Sequence, residues 1–240
     1  MLQRLATSCQ RHGLYPLEVE RERGRIAPVY GPYFDRVAAR ATGDTQLVEV
    51  RRARREFQEL TGKFEEDEPW FEQRMTLFLE WFVLDRPTSD GLTPVERFLL
   101  DEAPSLEDEE LEIFEGLAAT HRSLMRLERW QNGRIDLTDM IGGGSWSVLQ
   151  EDSMIGLQRG DFLDLRIVPF RGEQYLGRGM LFHPRIASEH IQKVLEVAHA
   201  SGHLTFDLVN MLASQRIRFD RYRNMKVQHI YRPSPEWSSE

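Results

Sequence analysis

The stretch SLMRLERWQNGRIDLTDMI, residues 123–141, decides the fold of the carboxyl-terminal half of the chain. Asn132-Gly133 is a favoured dipeptide in two-residue connections between antiparallel strands, because both positions of such a turn need a positive φ. On the far side of this turn, Ile135 and Leu137 alternate with polar neighbours, which is the pattern of a half-buried strand. The stretch therefore predicts a β-hairpin.

Four more short segments follow the hairpin and have the composition of strands. They are residues 145–150, 153–158, 161–170 and 174–183. Short strands spaced about ten residues apart predict a small, strongly curved antiparallel sheet or barrel. Beyond them, residues 186–202 predict a helix, residues 205–215 predict a shorter one, and the basic segment after residue 215 fits either a strand or a helix.

One part of this region resembles a known kind of module. Residues 157–184, LQRGDFLDLRIVPFRGEQYLGRGMLFHP, contain Gly160-Asp161, Arg166, Pro169, Tyr175, Gly179 and Pro184. With the hairpin included, residues 123–184 resemble a small β module found in uncharacterised bacterial proteins. The resemblance implies a fold element, and it brings no activity and no functional residues to this chain.

The amino-terminal half carries helical patterns instead. Residues 47–60, 69–85 and 106–117 have apolar residues at helical spacing, and Thr93-Pro94 with Glu96 has the form of a helix start with a capping box. The chain is therefore expected to be an α+β protein. We expect a mostly helical region with acidic helices over residues 1–120, and a small antiparallel β module with carboxyl-terminal helices and a basic tail over residues 121–240.

The helix predicted over residues 69–85 is apolar around almost its whole circumference. Such a helix is buried on several sides or faces a partner. If it faces a partner, its large aromatic side chains are the candidate contacts. These are Trp70, Phe78, Trp81 and Phe82.

Charge is distributed unevenly along the chain. Residues 64–117 carry seventeen acidic residues and three arginines, which we call the acidic block, whereas the whole chain has a formal net charge of -8. Such a block is repelled by nucleic acid and by anionic membranes, and it attracts a basic protein surface, which includes the basic ends of this chain itself. Glu109, Glu110 and Glu112 are its candidate contacts. The leading hypothesis is a cytoplasmic, non-enzymatic regulatory or interaction protein that binds another, basic protein, as an inhibitor or a holding partner.

Two other classes of function stay open. One alternative is a nucleic-acid-binding protein that uses the β module and the basic carboxyl-terminal segment, where Phe219 and Tyr222 lie between cations and are available for stacking on bases. The cations are Arg216, Arg218, Arg221, Arg223 and Lys226. The overall acidity of the chain weighs against this alternative. A further alternative is an enzyme whose pocket is assembled from residues distant in sequence. The sequence favours no particular oligomeric state.

No pattern points to a cofactor, a metal or a catalytic group. Residues 142–145, GGGS, lack the lysine of a phosphate-binding loop and are expected to form a turn between strands. His199 and His203 have the spacing of metal ligands, but Gly202 predicts that their helix ends there. Asp164 and Arg166 are expected on the solvated face of their strand.

Compartment is inferred from two further features. A single cysteine, Cys9, excludes an internal disulfide, and the first residues contain no apolar run that would form a secretory leader. No stretch is apolar and long enough for a transmembrane helix. We therefore expect a cytoplasmic protein that does not insert into membranes.

Overall fold

A computed structural model describes residues 29–150, 156–222 and 224–238. As predicted, the fold is α+β: in chain order, five helices precede a five-stranded closed barrel and three helices follow it in the described residues. The strands are β1 (His121–Gln131), β2 (Arg134–Asp139), β3 (Ser145–Leu149), β4 (Phe162–Phe170) and β5 (Glu173–Phe182). The helices are α1 (Gly31–Ala41), α2 (Leu47–Thr61), α3 (Phe71–Leu84), α4 (Pro94–Glu102), α5 (Asp108–Ala118), α6 (Ser188–Ala200), α7 (Phe206–Arg221) and α8 (Val227–Ile230).

The predicted hairpin is confirmed and starts the barrel. Asn132 and Gly133 have φ of 52° and 69°, and Trp130 pairs with Ile135 across the turn. The barrel closes in the order β1-β2-β3-β5-β4, with β4 antiparallel to both β1 and β5, and with β3 parallel to β5. The strand predicted over residues 153–158 lies in part outside the described residues, and residues 156–158 are not in a strand.

Three apolar clusters hold these elements together. One fills the barrel, the second joins α1 to α5 to the outside of β4 and β5 and to α7, and the third joins β1 and β4 to the last three helices. The second cluster contains residues from both sides of residue 120, among them Phe82, Val168 and Ile217. The helices therefore cover the outer face of β1, β4 and β5.

Helix α3 crosses β5 at very short range. A Cβ atom on Gly179 would lie 3.1 Å from the Cα atom of Leu77 and 2.9 Å from Oε2 of Glu80. No larger residue fits there without displacing the helix backbone. Gly179 therefore fixes how closely α3 packs on the barrel.

The prediction that Asp164 and Arg166 lie on a solvated face of β4 is wrong. Asp164 and Arg166 are buried, because α3 and α7 cover the face that a strand at a free surface would expose to water. The helix predicted over residues 205–215 extends further, and the first residues of the basic segment adopt the helical one of the two alternatives left open. One continuous helix, α7, runs from Phe206 to Arg221.

Candidate functional site

The aromatic residues proposed as partner contacts lie mainly inside the molecule. Phe78, Trp81 and Phe82 on α3 are buried, and the rings of Phe78 and Trp81 lie 5.8 and 5.4 Å from the ring of Phe57 on α2. Trp70 is partly buried against the same cluster. The chain's own side chains cover these rings, so Phe78, Trp81 and Phe82 are core residues and not accessible partner contacts.

The acidic block is partly neutralised by the chain itself. Eight of its seventeen carboxylates form ion pairs with arginines in the described part of the chain, and most of those arginines come from outside the block. The carboxylates are Glu68, Glu80, Asp85, Asp90, Asp101, Glu102, Glu109 and Glu110, and the arginines are Arg36, Arg40, Arg97, Arg166, Arg171 and Arg221. The acidic block therefore does not present one undivided negative surface.

Helix α5 and its N-cap residue present a group of exposed carboxylates. We call Glu107, Asp108, Glu112 and Glu115 the α5 acidic face; all four are exposed, and none forms an ion pair with a described residue. The opposite side of the helix packs Phe114 into the core. Of the three carboxylates predicted as contacts, only Glu112 forms no ion pair with a described residue, since Glu110 pairs with Arg36 at 3.2 Å and Glu109 pairs with Arg171.

The predicted nucleic-acid contacts are only partly available. Arg216 donates to Asp220 at 2.8 Å, and Arg221 donates to Glu68 at 2.6 Å, so both cations have acidic partners. Arg218 is partly buried and Lys226 is exposed. Arg223 lies outside the described residues. Pairing of Arg216 and Arg221 leaves less positive charge on this surface than the sequence suggests.

One polar cluster at the end of the barrel was missed by the sequence analysis. His121, the first residue of β1, places Nε2 2.7 Å from Oδ2 of Asp139 and stacks its ring on Trp146 at 5.3 Å. Oδ1 of Asp139 accepts from the hydroxyl of Ser123 at 2.5 Å and from the backbone N–H of Ile141 at 2.9 Å. We call His121, Ser123, Asp139 and Trp146 the His121 cluster.

Asp139 organises this cluster because it is held as a carboxylate. Burial raises its pKa, but hydrogen bonds from Ser123, from the Ile141 and Gly142 backbone and from His121 outweigh burial, so the pKa lies below its ordinary value. An ionised Asp139 accepts a hydrogen bond from the Nε2–H group of His121, which leaves Nδ1 as the basic nitrogen. The His121 side chain is 39% exposed, whereas Asp139 is buried beneath it.

A signal for the His121 cluster is present in the hairpin. The observed register pairs Met125 with Asp139. Continuing that register places His121 level with Gly143, in the glycine turn that the sequence analysis treated as a simple connection. The predicted hairpin alone did not fix this placement, because the register between β1 and β2 shifts between Leu127 and Arg129.

The hydrogen bonds of Asp139 predict a pH-dependent contribution to stability. Replacing Asp139 by asparagine is expected to cost about 1.5–3 kcal/mol of unfolding free energy at pH 7, because hydrogen bonds to a charged acceptor are lost. Since the folded pKa is lowered, wild type has the full contribution above the ordinary aspartate pKa of about 3.9 and loses it as the pH falls through the folded value. Urea unfolding of both proteins between pH 2 and pH 7 measures this difference.

A matched control for this prediction lies on the same strand. Asp136 faces outward on β2 and pairs with the exposed Arg129 at 2.7 Å. Asp136→Asn is expected to cost less than about 1 kcal/mol. If Asp139→Asn costs no more than Asp136→Asn, or if its cost stays constant down to pH 2, Asp139 is not the buried carboxylate described above.

Comparisons with known proteins do not assign this chain to a family. No protein-family model, curated protein or solved structure matches this chain. In the described ranges, no helix is long and apolar enough to cross a membrane, and no group of three or more histidine, cysteine, aspartate or glutamate residues is arranged to hold a metal ion. The features of the described chain that bear on its function are therefore its surface charge and the His121 cluster.

Proposed function

We propose that this chain is a non-enzymatic regulatory or interaction protein of the cytoplasm that binds a basic segment of another protein through the α5 acidic face. The observation that carries the proposal is that the α5 acidic face stays exposed and unpaired while much of the surrounding acidic block is paired internally. An inhibitor or holding partner of a basic enzyme would use such a surface.

The placement of α5 supports this role. Its buried side packs Phe114 against Phe98 at 4.6 Å and against Tyr33 at 5.7 Å, so the acidic face belongs to a helix anchored in the core. A rigid surface loses little conformational entropy on binding. Carboxylates at the edge of an interface mainly accelerate association and make it sensitive to salt.

Affinity capture with matched variants tests the proposal. The α5 variant carries Glu107→Gln, Asp108→Asn, Glu112→Gln and Glu115→Gln. The control variant carries Glu59→Gln, Glu65→Gln, Glu66→Gln and Asp67→Asn, which removes the same charge from other exposed positions. From native lysate, wild type and the control variant are expected to retain the same basic protein, whereas the α5 variant retains at least about tenfold less, which corresponds to 1.4 kcal/mol.

The salt dependence of this capture is part of the test. Screening shortens the reach of exposed charges to about 8 Å at physiological ionic strength, so retention should fall steeply as salt is raised. The proposal fails if no protein is retained specifically at low or at high salt, or if the α5 variant retains the same protein as well as wild type does.

The His121 cluster favours a second candidate function, an enzyme in which His121 acts as a general base. Asp139 orients the imidazole through the hydrogen bond to Nε2, as the buried carboxylate does in other histidine bases. Chromogenic esters, phosphates, glycosides and amides form a suitable panel of substrates. Hydrolysis that is lost in His121→Gln and kept in the control His190→Gln would support this candidate, and the same low rate in all three proteins would remove it.

Nucleic-acid binding through the carboxyl-terminal cations stays the remaining alternative. Lys226 and the exposed ring of Tyr222 are the accessible parts of that surface. Electrophoretic mobility shifts with single-stranded and duplex DNA and RNA test it. Salt-sensitive binding that weakens in Lys226→Gln would support it, and the absence of any shift would exclude it.

A further inference from the structure

A layer of buried charge lies between the outer face of the barrel and helices α3 and α7. Arg122 on β1 donates from Nε and Nη2 to the two carboxylate oxygens of Asp164 at 2.8 and 2.7 Å. Arg216 on α7 donates from Nε to Asp220 at 2.8 Å. Each of these two arginines therefore has its own carboxylate.

Arg74 in the same layer has no carboxylate of its own. Its side chain is among the largest fully buried ones, and Nη2 donates to the carbonyl oxygen of Ala213 at 2.8 Å. Nε and Nη1 have no hydrogen-bond partner among the described residues. Burial lowers the pKa of Arg74 to about 10, so the guanidinium keeps its charge at neutral pH. A buried charge without a counter-charge is costly, because it has lost its hydration.

His183 adds a further donor beside α7: it follows Phe182, whose carbonyl oxygen accepts from Nη1 of Arg216, and Arg216 lies three residues after Ala213, the acceptor of Arg74. Burial, with the positive charges of Arg216 and Arg74, lowers the pKa of His183 to about 3, although the negative charge of Asp164 raises it. The ring is therefore neutral at pH 7. Nδ1 lies 3.0 Å from the hydroxyl of Tyr231, and burial raises the pKa of that hydroxyl, which therefore keeps its proton. When this hydroxyl donates to Nδ1, the ring proton is on Nε2, which is buried without a partner.

These three unpartnered nitrogen atoms are all donors, and the surplus charge beside them is positive. We propose that Arg74, through Nε and Nη1, and His183, through Nε2, form a binding site for a small inorganic anion beneath the Arg216–Asp220 ion pair. A halide or a small oxyanion supplies the negative charge and the acceptor atoms that this layer lacks. Arg216 and Asp220 are 24% and 18% exposed, so this ion pair is in contact with water, whereas Arg74 and His183 are buried.

Thermal unfolding in defined salts tests this proposal. Purified protein in a buffer without chloride, phosphate or sulfate is titrated with the potassium salt of each anion, and potassium gluconate at equal ionic strength is the reference. Binding to the folded state alone is expected to raise the melting temperature by about 5–10 °C at one hundred times the dissociation constant, and the rise should saturate. Comparison of the three anions distinguishes a halide site from an oxyanion site.

Two variants separate binding from general salt effects. Sulfate and phosphate stabilise folded proteins by exclusion from their surface, an effect that does not saturate and does not need Arg74. Arg74→Met is expected to lose the saturable rise, and Arg97→Met, which removes an exposed arginine paired with Asp90, is expected to keep it. Equilibrium dialysis of wild type with the labelled anion should give one site per chain, even if Arg74→Met does not fold.

The proposal is overturned if no anion raises the melting temperature more than gluconate does. It is also overturned if Arg74→Met keeps the full saturable rise, or if dialysis finds no bound anion. In each of these outcomes, ordered water instead of an anion would complete the hydrogen bonds of Arg74.

Discussion

Replacing Asp164 by alanine is expected to lower the free energy of unfolding by about 3–5 kcal/mol, because it leaves a buried arginine without its counter-charge. Arg122 donates hydrogen bonds to both carboxylate oxygens of Asp164, and its guanidinium carbon lies 5.1 Å from the centre of the Phe206 ring. Both charged side chains are buried. Arg74, a second buried cation in the same layer, raises the electrostatic cost further. Urea denaturation at pH 7 measures the loss.

Two controls distinguish this effect from the removal of any ion pair. Glu173→Ala breaks the exposed pair with Arg134 on the barrel surface and is expected to cost about 0–1 kcal/mol. The double substitution Arg122→Met with Asp164→Leu removes both charges and should recover most of the loss, since an apolar pair replaces an ion pair without stranding a charge. A cost of less than about 1 kcal/mol for Asp164→Ala would show that water reaches this pair.

Replacing Phe114 by alanine is expected to cost about 3–5 kcal/mol, through lost burial and through the cavity left behind. Phe114 is fully buried, packs on Phe98 and Tyr33, and lies under Arg36, whose guanidinium carbon is 5.4 Å from its ring. The substitution therefore detaches α5 from α1 and α4. Thermal and urea unfolding measure the loss.

A matched control for Phe114 is the exposed Leu100 on α4. Leu100→Ala is expected to change the unfolding free energy by less than about 0.5 kcal/mol, since this side chain is 64% exposed. If Phe114→Ala costs as little as Leu100→Ala, α5 is not packed in the core. The rigid support assumed for the α5 acidic face would then be absent.

Local signals made much of the fold predictable. The Asn132-Gly133 dipeptide predicted the hairpin turn, where both residues have a positive φ. Thr93 and Glu96 predicted the start of α4, where both hydrogen bonds of the capping box are present. These signals work because the interacting groups are only a few residues apart in the chain. The α+β class followed from the change of pattern near residue 120.

Long-range partners could not be predicted in the same way. Periodicity shows which residues of β4 share a face, but it does not show that α3 and α7 cover the face containing Asp164. Ion pairs such as Arg221 with Glu68 join residues 153 positions apart, and a count of charges does not reveal them. The His121 cluster depends on such a contact as well, because its turn brings together the ends of two strands.

The most direct measurement for the proposed function is site-specific photocrosslinking from the α5 acidic face. A benzophenone amino acid at Glu112 is compared with the same amino acid at Glu66, an exposed acidic position away from α5. The account predicts an adduct from position 112 with a protein that carries a basic segment, absent from position 66 and weakened by Glu107→Gln, Asp108→Asn and Glu115→Gln. Identical adducts from both positions, or no adduct from position 112, would contradict it.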